Sequence, residues 1–450
     1  MTRSQFSHNG TLPVQDDTRM PRPVSDDWIV AAVGFSCNIT AVGPSGCGCE
    51  RTVYLAYDDI YAVELNHSRI PAFWRAQQLA AHPGSDPMLG LLDASAATRE
   101  WELAACAAFD EELAATLFAA GGEEYKEVAA LAYRQTVGAN QLAVAADGSL
   151  VHFSRECGSG DDILTMDVVI DSLPFFLWFS PVYVFAELRP IIHLASNLTV
   201  DAGGMPILWS HPYTPHDMGK YPIANGYDGG PQETMPLEET GNALIMIEAA
   251  CARQSPTSAC EFASRHWAVI TRWANYLNAT GLYPAKQLSS DDFDGPLANR
   301  SNLAAKAIIG VGAYAQLATR QGLVSTGQLY RGWAEAMAAE WMQLAADGDH
   351  YSLQYSTPGW ALMYNLWLDS LLGTRLFGSA VTGKLKVFYA TRVQEYGLPL
   401  DPRHNYTVCM CVCVRRGECF VKSVFARWKW LCAECDCVVA CFRLICGCER

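Results

Sequence analysis

The sequence predicts a mainly α-helical fold of antiparallel helical hairpins, preceded by a short stretch of β structure. Three observations predict it. The spacing of apolar residues changes from alternating to helical near residue 76. Beyond that point, runs of roughly 15–25 residues with apolar positions three and four apart follow one another through short loops. No heptad pattern is sustained, so the helices are expected to pack on each other and not to supercoil.

Taken in order, residues 1–25 are polar and proline-bearing and read as a disordered leader. Residues 26–75 read as strands. The runs WIVAAVGF (Trp28 to Phe35) and RTVYLAYDDIYAVEL (Arg51 to Leu65) are rich in β-branched and aromatic residues and flank a Gly/Pro/Ser loop. So few strands should leave unpaired edges. Helices are expected over Ala94–Ala120 and Glu123–Ala143, divided by the stop signal Gly121-Gly122. A strand pair, Gln141–Phe153, turns at Asp147-Gly148. Pro174–Asn197 reads as buried aromatic helix. Further helices fit Glu238–Gln254, Thr257–Thr280, Asn299–Gln321, Thr326–Ala346, Trp360–Leu372 and Val381–Tyr396.

With 450 residues, 50% of them apolar, the chain can bury a sizeable core in more than one domain. A formal charge of −15 argues against nucleic acid or an anionic membrane surface as partner. The longest uncharged stretch near Pro174, Ser172 to Ala186, holds two prolines and is too short to span a bilayer.

Seven of the thirteen asparagines stand in N-x-[ST] sequons, namely Asn9, Asn38, Asn66, Asn197, Asn278, Asn299 and Asn405. Chance would give about one or two, so an extracellular, N-glycosylated ancestry is expected. The first twenty residues hold no apolar core and are not a signal peptide.

Ten of the seventeen cysteines crowd into the last 43 residues, from Cys409 to Cys448. C-x-C and C-x-x-C spacings suit soft metals or a disulfide knot. Against both stand the lack of His, of a repeated spacing, and the several large apolar residues. Val408-Cys409 can be encoded by GTATGT, a 5′ splice-site sequence, and residues 408–450 are read as an aberrant tail, translated from an intron.

Three blocks spend polar residues where a packing protein would not: HDMGKYPIANGYDGG (His216 to Gly230), MPLEETGNALIM (Met235 to Met246) and QLSSDDFDGPLANRSNLAAKAIIG (Gln287 to Gly310). Each puts acids, Asn or His in a Gly/Pro-rich loop, the way a rigid scaffold presents a site. Glu238 and Glu239 precede or open a helix, where the dipole favours carboxylates. Being adjacent, at most one can face a shared cleft, with Asn242 nearby. Asp291 and Asp292 lie in a Ser-rich turn, where Asp often only bonds local backbone. One of them paired with Glu238 or Glu239 would supply the two carboxylates that activate water and protonate a leaving group.

His216 sits in a loop and could bind substrate or carry protons, with Asp217 orienting it. Asn225, Asn299 and Asn302 offer the paired donor and acceptor that match a carboxamide or a sugar hydroxyl. A glycan on Asn299 would conflict with that role, and Asn302 avoids the conflict. Trp360, Tyr364 and Trp367 form an i, i+4, i+7 stripe that marks core more often than a ligand platform. Serine-hydrolase, zincin and P-loop motifs do not occur, and no metal-ligand spacing stands out before residue 408. No metal and no cofactor is expected.

Over residues 26–407 the three blocks, in this order and spacing, resemble the secreted glutaminase A family of fungi. The resemblance implies an (α/α)6 toroid over residues 76–407, with residues 26–75 as the last strands of an N-terminal β-sandwich. The inner-helix ends would open onto a funnel lined by the acidic loops. It implies an amidohydrolase taking L-glutamine and water to L-glutamate and ammonia. Glu238, Glu239, Asp291, Asp292 and Asp217 are then the catalytic candidates, and His216, Asn225, Asn242, Asn302 and Tyr364 the substrate-binding ones. The scaffold alone admits a glycoside hydrolase using the same carboxylates. A third reading is an inactive product of a truncated gene.

Overall fold

A computed structural model describes residues 8–9, 11, 48–156, 160–226, 235–254, 259–394, 397–405 and 440–447. The predicted strand WIVAAVGF and most of the cysteine-rich tail lie outside them. The chain divides into two compact units, residues 1–57 with 438–450, and residues 58–437.

In the first unit, strand β1 (Gly48–Leu55) pairs antiparallel along its whole length with a strand of the tail, Ala440–Gly447. The edge expected to stand open at β1 is thus paired.

The second unit is mainly helical. Its β structure is confined to short ribbons. Strands β2 (Val63–Leu65) and β3 (Ser68–Ile70) form a hairpin, and β2 also pairs in parallel with β6 (Ile223–Ala224). Strands β4 (Asn140–Val144) and β5 (Leu150–Ser154) form the expected ribbon. Its turn is fixed by the Asp147 side chain, which accepts from Ser149 N, and by a left-handed Gly148 (φ +79°). A last ribbon joins β7 (Ala346–Asp347) to β8 (His350–Tyr351).

Helix α1 (Phe73–Ala81) leads into α2 (Pro87–Gly138). Asp86 caps α2 by accepting from Met88 N, with Pro87 in the first turn. The expected division falls at Gly122, whose φ of +79° breaks the helical path. The second half stops at Gly138, short of the predicted Ala143, because residues 140–144 pair with β5.

Helices α3 (Met166–Phe179) and α4 (Val182–Ala195) cover the predicted aromatic segment. Then come α5 (Pro236–Gln254), α6 (Glu261–Arg265), α7 (Trp267–Thr280), α8 (Ser301–Arg320) and α9 (Val324–Leu344). Two short helices follow, α10 (Leu366–Leu372) and α11 (Ser379–Ala390).

The predicted helix Trp360–Leu372 begins only at Leu366. Backbone groups of residues 361–363 find partners elsewhere: Met363 N donates to Tyr389 Oη, Tyr389 Oη donates to Ala361 O, and Leu362 N donates to Leu400 O. Trp360 packs on Phe388.

The core centres on α5 and α8. Every residue from Leu237 to Cys251 and from Ser301 to Ala315 is buried, so these helices are enclosed on all faces. They touch where both backbones are bare. A Cβ on Gly310 would lie 3.3 Å from Gly241 Cα and 2.6 Å from Leu277 Cδ1. A disulfide, Cys251–Cys260, ties the end of α5 to the loop before α6. No described helix is long and apolar enough to cross a membrane.

Candidate active site

The first turns of α3 and α5 are stitched together by side chains. Asn242 Nδ2 donates to Met166 O (3.2 Å), and Met166 N donates to His216 O (2.9 Å). Thr240 Oγ1 accepts from Thr214 N (3.1 Å). Gln287 Oε1 accepts from Leu237 N (3.0 Å), which satisfies a donor left open at the start of α5. The loops before α5 and α8 are thereby drawn to the same place.

Glu238 and Glu239 turn to different neighbours, as adjacent helical residues must. Glu238 is fully buried and ion-paired with Lys306 of α8. It also accepts from Ser290 Oγ (2.7 Å) and Ser289 Oγ (3.3 Å). Burial opposes its charge, but the Lys306 ammonium and these hydrogen bonds outweigh burial and hold its carboxyl below the usual range.

Glu239 faces the other way. Its Oε1 lies 3.7 Å from His216 Nε2, and neither carboxylate oxygen accepts a hydrogen bond within the protein. Burial, then repulsion from Asp167 and Glu238, pushes its carboxyl well above the usual range.

His216 Nδ1 is bonded to Asp217 Oδ2 (2.7 Å), and Asp217 Oδ1 accepts from Gly219 N (2.6 Å). Gly219 is required here. Its φ is +112°, and a Cβ would meet Ile223 O at 2.7 Å.

Two further acids stand on α3. Asp167 is buried beside His216, and burial raises its carboxyl to about 7 against the pull of His216. Asp171, one turn on, is reached by solvent, yet enough protein surrounds it that burial raises its carboxyl to about 6. Its carboxyl is also influenced by Lys306, which lowers it, and Glu238, which raises it.

Beyond Glu238 lies Asp291, buried and ion-paired through Oδ2 with Arg300. Burial raises its carboxyl in spite of Arg300. Arg300 is itself buried, and its Nε and Nη1 have no protein acceptor. Tyr364 is buried near Asp291, and burial, then the charges of Asp291 and Glu238, keep its phenol protonated.

The structure thus brings together His216, Asp217, Glu238, Glu239, Asn242, Asp291 and Tyr364. Asn302 is buried in the first turn of α8, where its Oδ1 accepts from Asn365 N (3.2 Å) and so holds the segment next to Tyr364. Two of the candidate residues lie elsewhere. Asp292 is exposed, and its carboxylate accepts only from Phe293 N within a short turn. Asn225 is occupied by the β2–β3 hairpin, accepting from His67 N and donating to Glu64 (2.8 Å each). Asn299, also a sequon residue, is exposed.

Four contributors escaped the sequence reading: Asp167, Asp171, Arg300 and Lys306. A signal existed for each. MDVVID places two acids one turn apart on an apolar helix, and Lys306 is the lone charge between Ser301 and Thr319.

One subset has the donors of a metal centre. Asp167, His216 and Glu239 each present a ligand atom, and these atoms all lie within 4.8 Å of one another.

The protein is thus a hairpin-built helical domain whose polar centre stands at the starts of its buried helices. The sequence model of the glutaminase A six helical-hairpin domain matches residues 122–412, and the chain belongs to that family. It is 32% identical to Glutaminase A of Aspergillus oryzae, over 90% of this chain and 56% of that protein. It is 27% identical to a protein of Arthroderma benhamiae named "Probable glutaminase", over 66% of this chain and 43% of that one. The chain spans about half the length of these relatives.

Proposed function

We propose that this chain is a glutaminase-like amidohydrolase that converts L-glutamine and water to L-glutamate and ammonia. The observation that carries the reading is the sequence kinship to two proteins named glutaminases, with the three polar blocks gathered at one buried centre.

The reaction has three needs. A free amino acid carries both charges, so its site must offer both. Arg300, with two unused donor nitrogens, suits the carboxylate, and the exposed acid Asp171 suits the ammonium. Water must be held against the carboxamide carbon. Of the two glutamates, Glu239 has uncommitted oxygens, while Glu238 is engaged by Lys306. The departing nitrogen must take up a proton as the C–N bond breaks. Asp291, beside the Tyr364 hydroxyl, is the second carboxyl for that step.

Seven sequons and the Cys251–Cys260 disulfide support an extracellular, glycosylated setting.

The test is ammonia release from L-glutamine, beside reducing-sugar release from oligosaccharides. Glu239→Gln and Asp291→Asn should each lower kcat/KM by about 10²–10⁴-fold, while Asp292→Asn stays within about twofold. A folded chain that releases sugar and no ammonia would refute the reading.

A further inference from the structure

We propose that Asp167, His216 and Glu239 bind a single divalent transition-metal ion. The three residues come from two helix starts and one loop, and all are buried. A buried carboxylate needs a cation or a set of donors. Lys306 and Arg300, the nearby cations, are ion-paired with Glu238 and Asp291. Glu239 is 1% exposed, and neither of its oxygens has a hydrogen-bond partner in the protein. Asp167 Oδ1 likewise accepts nothing.

The imidazole is held as metal-binding imidazoles are. Asp217 fixes Nδ1, which leaves Nε2 turned toward Glu239. Asp217 is in turn fixed by Gly219 N. Asn242, one turn after Glu239, has a buried Oδ1 without a donor.

Two carboxylates and one neutral imidazole give a charge of −2, which balances a divalent ion. A mixed nitrogen and oxygen set favours zinc or manganese over calcium or magnesium, which take oxygen ligands. Ligand atoms around such an ion stand about 3.3–3.5 Å apart. The observed limit of 4.8 Å closes to that by side-chain adjustment of roughly an ångström. An ion there would acidify a bound water, a consequence that rests on the amidohydrolase reading. The site itself does not.

The probe is manganese, because the ten cysteines after residue 408 prefer softer ions. The full chain is stripped with chelator, loaded with MnCl2, freed of excess and analysed for metal content. About one equivalent is expected, with a raised Tm. Asp167→Asn and Glu239→Gln should each drop the content to background while circular dichroism stays native. Asp217→Asn should weaken affinity about 10–100-fold. The proposal is overturned if the folded chain retains no manganese, or if both variants retain as much as the parent. It is also overturned if ammonium chloride or glutamine raises Tm and manganese does not, since the acids then serve an ammonium group. Ammonia release is measured separately. Metal bound without glutamine hydrolysis would refute the substrate reading alone, and hydrolysis by a chain that retains no manganese would refute the metal site alone when the manganese-loaded chain also shows no bound metal.

Discussion

Replacing Lys306 with Met isolates the charge at the heart of the site. Lys306 is 1% exposed and its partner Glu238 is fully buried. Its stem packs on α5, where a Cβ on Gly241 would come within 2.9 Å of Lys306 Cγ. Methionine keeps most of that stem and removes only the ammonium. Glu238 is then left as a buried carboxylate with two serine donors and a long contact from Asn242 Nδ2 (3.4 Å). Removing one partner of a buried pair costs about 3–5 kcal/mol. At about 2.1 cal/mol/K per residue, each kcal/mol moves the Tm of the unit spanning residues 58–437 by about 1.3 °C, so a loss of about 4–6 °C is expected by calorimetry. Adding Glu238→Gln removes the stranded charge and should restore much of the loss, giving a positive coupling in a double-mutant cycle. If Lys306→Met melts within about 1 °C of the parent, or Glu238→Gln fails to rescue it, the pair does not have the electrostatic role argued here.

Two glycine positions should respond oppositely to alanine. Gly310→Ala forces a methyl against Leu277 and the Gly241 backbone and should cost about 1–3 kcal/mol. Gly332→Ala, on α9 with open space around it, should gain about 0.5–1 kcal/mol in urea unfolding. Asp171 gives a pH signature. Its carboxyl titrates near 6 in the folded chain against an ordinary 3.8, so the folded state holds the extra proton between these values. Stability should therefore fall as pH rises from about 4 to about 6. Asp171→Asn should flatten that slope, and an unchanged slope would show that Asp171 is an ordinary surface acid.

Helices α5 and α8 were legible because their apolar spacing is helical from end to end and their starts carry Pro236 and a Ser-Asn pair. The break at Gly122 and the turn at Asp147-Gly148 were legible because glycine alone takes those angles cheaply. Residues 360–365 misled because their apolar spacing suits a helix, while their backbone is claimed by Tyr389 and Leu400, distant in sequence. Within the site, sequence could name Asp291 and Asp292 but not choose between them. The choice is made by Arg300, which reaches only Asp291. Asp167 was missed for a related reason. Its meaning comes from His216 and Glu239, which only folding places beside it.

The enclosure of α5 and α8 divides the site by how fast its parts can open. Amides in helices buried on every face exchange with solvent only when the whole unit unfolds. Glu238, Glu239 and Asn302 belong to these helices, so their backbone is fixed on the timescale of unfolding. His216, Asp217 and Asp291 stand on loops, whose amides open locally and sooner. Deuterium exchange would see two populations in one centre. A molecule entering it would meet an acid pair on fixed backbone beside loop residues whose amides exchange sooner.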